Sequence, residues 1–173
     1  MKVEFIDNFY PEEIDNAEVV LVELLKSKSL KVSVAESFTG GKISSLITSV
    51  SGASAVFYEG IVAYNENAKM QRLGVENQTI SEFKPVSYQV ASEMAQGLLK
   101  SKNADLGVST TGIAGPKSDE SGFPVGLCFI GISYKQKIAV YKFNFNGNRE
   151  EIVKKGAKTA LLLAINTIKT YKG

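Results

Sequence analysis

The stretch Lys31-Val32-Ser33-Val34-Ala35-Glu36-Ser37-Phe38-Thr39-Gly40-Gly41-Lys42-Ile43-Ser44-Ser45-Leu46-Ile47-Thr48-Ser49-Val50 decides the class of the fold. Lys31 to Ala35 reads as a short buried strand, since two valines lie in a run with no helical period. Beyond the glycine pair, Ile43, Leu46, Ile47 and Val50 fall at i, i+3, i+4 and i+7, which is one face of a helix. A strand that passes within a few residues into an amphipathic helix implies a largely parallel sheet with helices packed on it.

Upstream, Pro11 and Glu12 open a helical pattern with Ile14, Ala17, Leu21, Leu24 and Leu25 on one face, reaching about Lys28. Downstream, Val56 to Tyr64 is rich in β-branched and aromatic residues and reads as a second strand. Glu66 to Leu73 reads as a helix stopped at Gly74, and Ser87 as the N-cap of a longer helix to Ser101. Leu106 to Thr111 is a third strand, followed by Gly112-Ile113-Ala114-Gly115-Pro116 and a polar loop from Lys117 to Gly122. The runs Val125 to Tyr134 and Lys137 to Phe145, separated by a minimal turn, predict an antiparallel hairpin. Asn148 caps a final helix reaching about Tyr171, apolar at Ile152, Ala157, Leu161, Ala164 and Ile168. The expectation is an α/β fold: a three-layer α/β/α sandwich with a mixed sheet of about five strands, one of them antiparallel. With no internal linker or repeat, residues 1–173 read as a single domain, within the usual span of about 100 to 200 residues.

Composition excludes several kinds of chemistry. No histidine is present, which removes Ser-His-Asp and Cys-His catalysis and imidazole-bound metals together. One cysteine cannot form an internal disulfide or a Cys-based zinc cluster, and Cys128 sits in the apolar run Leu127-Cys128-Phe129-Ile130 as a buried thiol. The expectation is no metal and no cofactor. The net charge of +2, with basic residues spread out, is a poor footprint for nucleic acid, and Lys154, Lys155 and Lys158 read as a solvated helix face. The acidic N-terminal run and the lack of a long apolar segment predict a cytoplasmic protein with no membrane contact.

Ligands of open α/β sheets bind beyond the carboxyl ends of the strands, so the turns leaving each strand are the candidate site. Glu36-Ser37-Phe38-Thr39-Gly40-Gly41 places a hydroxyl at a helix start, where free N–H groups suit an oxyanion or a phosphate; a plain capping turn explains it too. It is not a Walker loop, because Ile43 stands where Ser or Thr would hold magnesium. Tyr64-Asn65-Glu66-Asn67-Ala68-Lys69 brings a lysine close to a strand end, where the alternative is a solvated surface residue. Gly112 to Pro116 carries only Gly-x-x-Gly, which fits no dinucleotide fingerprint and reads equally as a tight bend.

Taken in order and in register, these turns resemble the CinA C-terminal domain family of nicotinamide mononucleotide amidases. That family reads Ala-Glu-Ser-Cys-Thr-Gly-Gly, Tyr-Ser-Asn-Glu-Ala-Lys, Gly-Ile-Ala-Gly-Pro, Pro-Val-Gly and Gly-Asp-Arg. The corresponding stretches here are Ala35 to Gly41, Tyr64 to Lys69, Gly112 to Pro116, Pro124 to Gly126 and Gly147 to Arg149. Phe38 stands in place of the family's cysteine, Asn148 in place of its aspartate, and Lys117 to Ser121 departs from its Asp-Gly-Gly. The resemblance implies an amidohydrolase that converts nicotinamide mononucleotide and water to nicotinic acid mononucleotide and ammonia. Ser37 would be its nucleophile and Lys69 its general base. It also implies substrate-binding or supporting roles for Ser54, Tyr64, Thr111 and Arg149, the arginine meeting phosphate or carbonyl oxygens. The turn N–H groups of Thr39, Gly40 and Gly41, with Gly112 and Gly115, complete the expected substrate site, the former as oxyanion hole or phosphate site. A small-molecule nucleotide as substrate and a homodimer or larger homo-oligomer follow from the same resemblance. The alternative reading, from the departing loop after Pro116, is a catalytically silent domain of this type that binds a partner.

Overall fold

The computed structural model describes residues 2–118 and 122–171. Its strands are β1 (Lys2–Ile6), β2 (Val32–Glu36), β3 (Phe57–Val62), β4 (Leu106–Gly112), β5 (Leu127–Tyr134) and β6 (Lys137–Asn144). The helices are α1 (Ala17–Ser27), α2 (Lys42–Thr48), α3 (Glu66–Leu73), α4 (Asn77–Phe83), α5 (Tyr88–Gly97) and α6 (Arg149–Thr170). One sheet of six strands, ordered β1-β6-β5-β4-β2-β3, forms the middle layer. β4, β2 and β3 pair in parallel, as do β1 and β6, and β5 alone runs against the other five. The expected mixed sheet with one antiparallel strand is therefore present, with six strands rather than about five.

The additional strand is β1, which pairs Lys2 with Lys137 and Ile6 with Tyr141 along the outer edge of β6. It is short and exposed along most of its length, so it lacks the buried apolar signal by which an inner strand is read. The first helix begins at Ala17 instead of Pro11, because Asn16 adopts a left-handed conformation and its carbonyl accepts the N–H groups of Val19 and Val20. α4 lies in a stretch to which the sequence pattern assigns no element, and α5 stops at Gly97 rather than Ser101, giving way to tighter three-residue turns. Of the polar loop after Pro116, Asp119, Glu120 and Ser121 lie outside the described residues.

Alternation along β2 distributes its residues between two cores. Val32 and Val34 pack with Leu21, Leu25, Ile43, Ile47 and Leu161 of α1, α2 and α6, while Ala35 packs with Leu73, Val90 and Met94 of α3 and α5. Each of the larger side chains removed from water, the valines, leucines, isoleucines and Met94, contributes about 1.5 to 3 kcal/mol, and helices cover both faces of the sheet. The parallel pairing of β2 with β4 ends at Glu36 and Thr110, two residues before β4 itself ends at Gly112, which gathers the turns that leave them at one end of the sheet.

Candidate active site

Ser37 is the first residue beyond β2. Its N–H donates to the Thr110 carbonyl at 3.0 Å, its own carbonyl accepts from Gly40 N–H at 3.1 Å, and a tight turn leads into α2. Gly40 and Gly41 carry φ values of 58° and 96°, which residues with a Cβ rarely adopt, so the glycine pair is what lets the chain reverse so soon after the serine. Beneath the turn the Thr39 and Thr110 hydroxyls meet at 2.8 Å.

Lys69 arrives from α3, whose N-cap Asn65 accepts the Ala68 N–H at 2.8 Å. The lysine is only 3% exposed, and its Nζ lies 3.0 Å from Ser37 Oγ and donates to it. Burial pushes its pKa down to about 8, with the Glu66 carboxylate opposing the shift. A buried lysine of this kind holds an accessible neutral form and so can accept a proton from the hydroxyl it touches.

These two residues share a cleft of about 530 Å³ with Tyr64, Asn65, Glu66, Asn67, Pro85, Val86, Thr111, Gly112 and Arg149 among its walls. That size suits a small-molecule ligand, for which roughly 300 to 1,000 Å³ is usual. Arg149, the first residue of α6, donates one nitrogen to the Gly115 carbonyl and another to the Tyr64 hydroxyl at 2.8 Å. It therefore bridges the second and third turns. Its backbone is held by a capping box in which Asn148 accepts Glu151 N–H at 3.1 Å and Glu151 accepts Asn148 N–H at 2.8 Å. The Thr111 hydroxyl donates to the Pro85 carbonyl at 2.8 Å and ties the segment before α5 to β4.

The other expected site residues are placed differently. Thr39 is buried under the serine turn, and Gly115 supplies a carbonyl to Arg149 rather than a wall of the cleft. Ser54 lies in a single 3-10 turn past the C-terminal end of α2 and lines a separate hollow with Thr48 and Phe57. A seven-residue helix separates it from the serine turn, a rise of about 10 Å. The N–H groups expected at the oxyanion or phosphate site need correction. Gly40 N–H is bonded to Ser37 and Gly41 N–H to the Glu36 carboxylate, so the start of α2 is already filled by an acid of the chain itself. Among the described residues, the Phe38 and Thr39 N–H groups are the ones in this turn without an acceptor.

Glu36 was visible in the sequence only as an acid beside the serine; three of its four partners are backbone N–H groups, which leave no mark in side-chain composition. Phe38 is explained by Gly156 of α6, where an added Cβ would come within 2.4 Å of the Phe38 ring. Among the described residues no three His, Cys, Asp or Glu side chains gather as a metal site, and no helix is long and apolar enough to cross a membrane.

Comparison with known proteins identifies the family and the fold. The model of the CinA C-terminal domain matches residues 14–168. A protein of Caldicellulosiruptor saccharolyticus named for competence-damage induction is 48% identical over 160 residues, which cover 91% of this chain and 39% of the relative. The chain thus spans about two fifths of the length of that curated relative. Among solved structures, the competence/damage inducible protein CihA of Agrobacterium tumefaciens is 34% identical with a TM-score of 0.83, covering 92% of this chain and 99% of its own. A CinA superfamily protein of Escherichia coli is 28% identical with a TM-score of 0.87, covering 92% and 96% respectively. Matched over nearly its whole length in sequence and in fold, the chain belongs to the CinA C-terminal domain family.

Proposed function

We propose that the protein is an amidohydrolase that converts nicotinamide mononucleotide and water to nicotinic acid mononucleotide and ammonia by a Ser-Lys dyad. The observation that carries this reading is the buried 3.0 Å contact between Lys69 Nζ and Ser37 Oγ at the floor of the cleft. Neutral Lys69 takes the hydroxyl proton as Ser37 Oγ attacks the carboxamide carbon. The carbonyl oxygen becomes an oxyanion, for which the N–H of Phe38, a residue of the cleft wall, is the candidate donor. Collapse breaks the C–N bond, and the nitrogen leaves as ammonia with the proton held by Lys69. A water then gives its proton to Lys69 and attacks the ester carbon; the acid is released and the proton returns to Ser37 Oγ.

This arrangement serves where histidine is absent, because the base is a lysine whose surroundings lower its pKa to about 8 and so bring the neutral amine within reach. A purely partner-binding domain gives no reason to retain a desolvated lysine, which costs stability, against a serine hydroxyl. Arg149, Tyr64, Asn65 and Asn67 offer donors around the cleft for the sugar and phosphate of the nucleotide. Incubation of the purified protein with nicotinamide mononucleotide, followed by chromatography and mass measurement, is expected to give nicotinic acid mononucleotide. Recovery of unchanged substrate would favour the partner-binding reading.

A further inference from the structure

Glu36 is fully buried, and an acid withdrawn from water is costly unless its oxygens are bonded. Its carboxylate accepts four hydrogen bonds: Gly41 N–H and Ile43 N–H on one oxygen, both at 3.0 Å, and Ser44 N–H at 2.8 Å and Ser44 O–H at 2.7 Å on the other. All four donors lie just after the turn that carries Ser37, whereas Glu36 lies just before it. The side chain therefore closes the turn as a clamp, with Ser37 inside the loop so formed. Its carbonyl meanwhile accepts Ala63 N–H at 2.8 Å, which fixes the same residue to the end of β3 beside Tyr64.

We propose that Glu36 is a positioning residue for the nucleophile: it clamps the turn so that Ser37 Oγ stays in reach of Lys69. By taking the Gly41, Ile43 and Ser44 donors, it also leaves the N–H of Phe38, which lines the cleft, as the one offered to an oxyanion. The inference rests on the reading of Ser37 as nucleophile. A second carboxylate offers the contrast. Glu93 accepts Glu76 N–H at 2.8 Å and the Thr79 hydroxyl at 2.6 Å, and so braces α4 against α5 without lining the cleft. Loss of that brace bears on stability alone.

The test is the labelling of Ser37 by a fluorophosphonate, in which Ser37 Oγ displaces fluoride at phosphorus and Lys69 takes up the hydroxyl proton. It needs no nucleotide. Glu36→Gln keeps the shape but turns one acceptor into a donor facing N–H groups. It is expected to slow the labelling rate constant on the order of 10²-fold, the scale set by small displacements of reacting groups, while the end point remains one label per chain. A merely structural role would instead lower the end point at an unchanged rate. Glu93→Gln should label as wild type does. Should Glu36→Gln fail to fold, Ser44→Ala removes the hydroxyl bond and leaves the three N–H bonds, and a several-fold slower rate at full stoichiometry is expected. A wild-type rate in Glu36→Gln, or in Ser44→Ala where that variant is the one read, overturns the inference and leaves the nucleophile standing. A wild-type protein that takes no label on Ser37 overturns both.

Discussion

Lys69 is where burial becomes chemistry. Acting as a base requires the neutral amine, so kcat/KM should rise about tenfold per pH unit up to the folded pKa of about 8 and level off above it. A profile that is flat through this range, or that falls, would remove Lys69 as the base. Stability follows from the same shift. An unfolded lysine holds its proton up to about 10.5, and the native one only to about 8. Between these values the unfolded chain binds more protons, so stability rises with pH across that window, and the cost of the buried cation is present in full below it. That cost is about 3 kcal/mol at about 1.4 kcal/mol per unit. Lys69→Met should therefore melt above the wild type at pH about 7 while losing activity, a trade seen where a site is strained for function. Equal or lower melting of Lys69→Met at that pH, measured by calorimetry, would mean that the charge is already compensated.

At the scale of elements, the packing of α6 against the serine turn sets how far the sequence can vary there. Gly156 in mid-helix would ordinarily gain about 1 kcal/mol of helix propensity on replacement by alanine. Here the new methyl would strike the Phe38 ring, and overpacking of this kind costs about 1 to 3 kcal/mol. Gly156→Ala should lower both the melting temperature and the rate, and should do so less in a Phe38→Cys background; additive effects in that double-mutant cycle would show that the two do not touch. Most elements were legible because their periodicity is strong: β2, α2, α3 and the β5–β6 hairpin follow the pattern of the chain. β1 was not, since Lys2-Val3-Glu4-Phe5-Ile6 is exposed on an edge and lies before the residues that match the family model. The premature end of α5 and the late start of α1 are set by turns, where pattern carries little weight. In the site, Ser37 and Lys69 are each ordinary alone, and their order with the glycine turns made them legible. The clamp of Glu36 depends on backbone donors brought together by folding and had no signal of its own.

Across the whole molecule, three turns from separate parts of the sheet converge on one cleft, and Arg149 at the start of α6 joins two of them. The chemistry proposed there uses only a hydroxyl and an amine. EDTA should accordingly leave the rate unchanged, whereas loss of turnover with recovery on adding magnesium would make the cleft carboxylate Glu66 an oxygen ligand and contradict a metal-free dyad. Ser37 and Phe38 just beyond β2, and Thr111 and Gly112 at the end of β4, line this cleft, which is where an α/β sheet receives its ligand. The proposed reaction depends on one pair of atoms, Lys69 Nζ and Ser37 Oγ, and the decisive measurement is the initial rate of ammonia release from nicotinamide mononucleotide by wild type, Ser37→Ala and Lys69→Arg side by side. Release by the wild type is predicted, with Ser37→Ala and Lys69→Arg, both folded, lower by at least about a thousandfold, since neither can complete the proton transfer and attack. Substantial release by either variant would contradict the dyad.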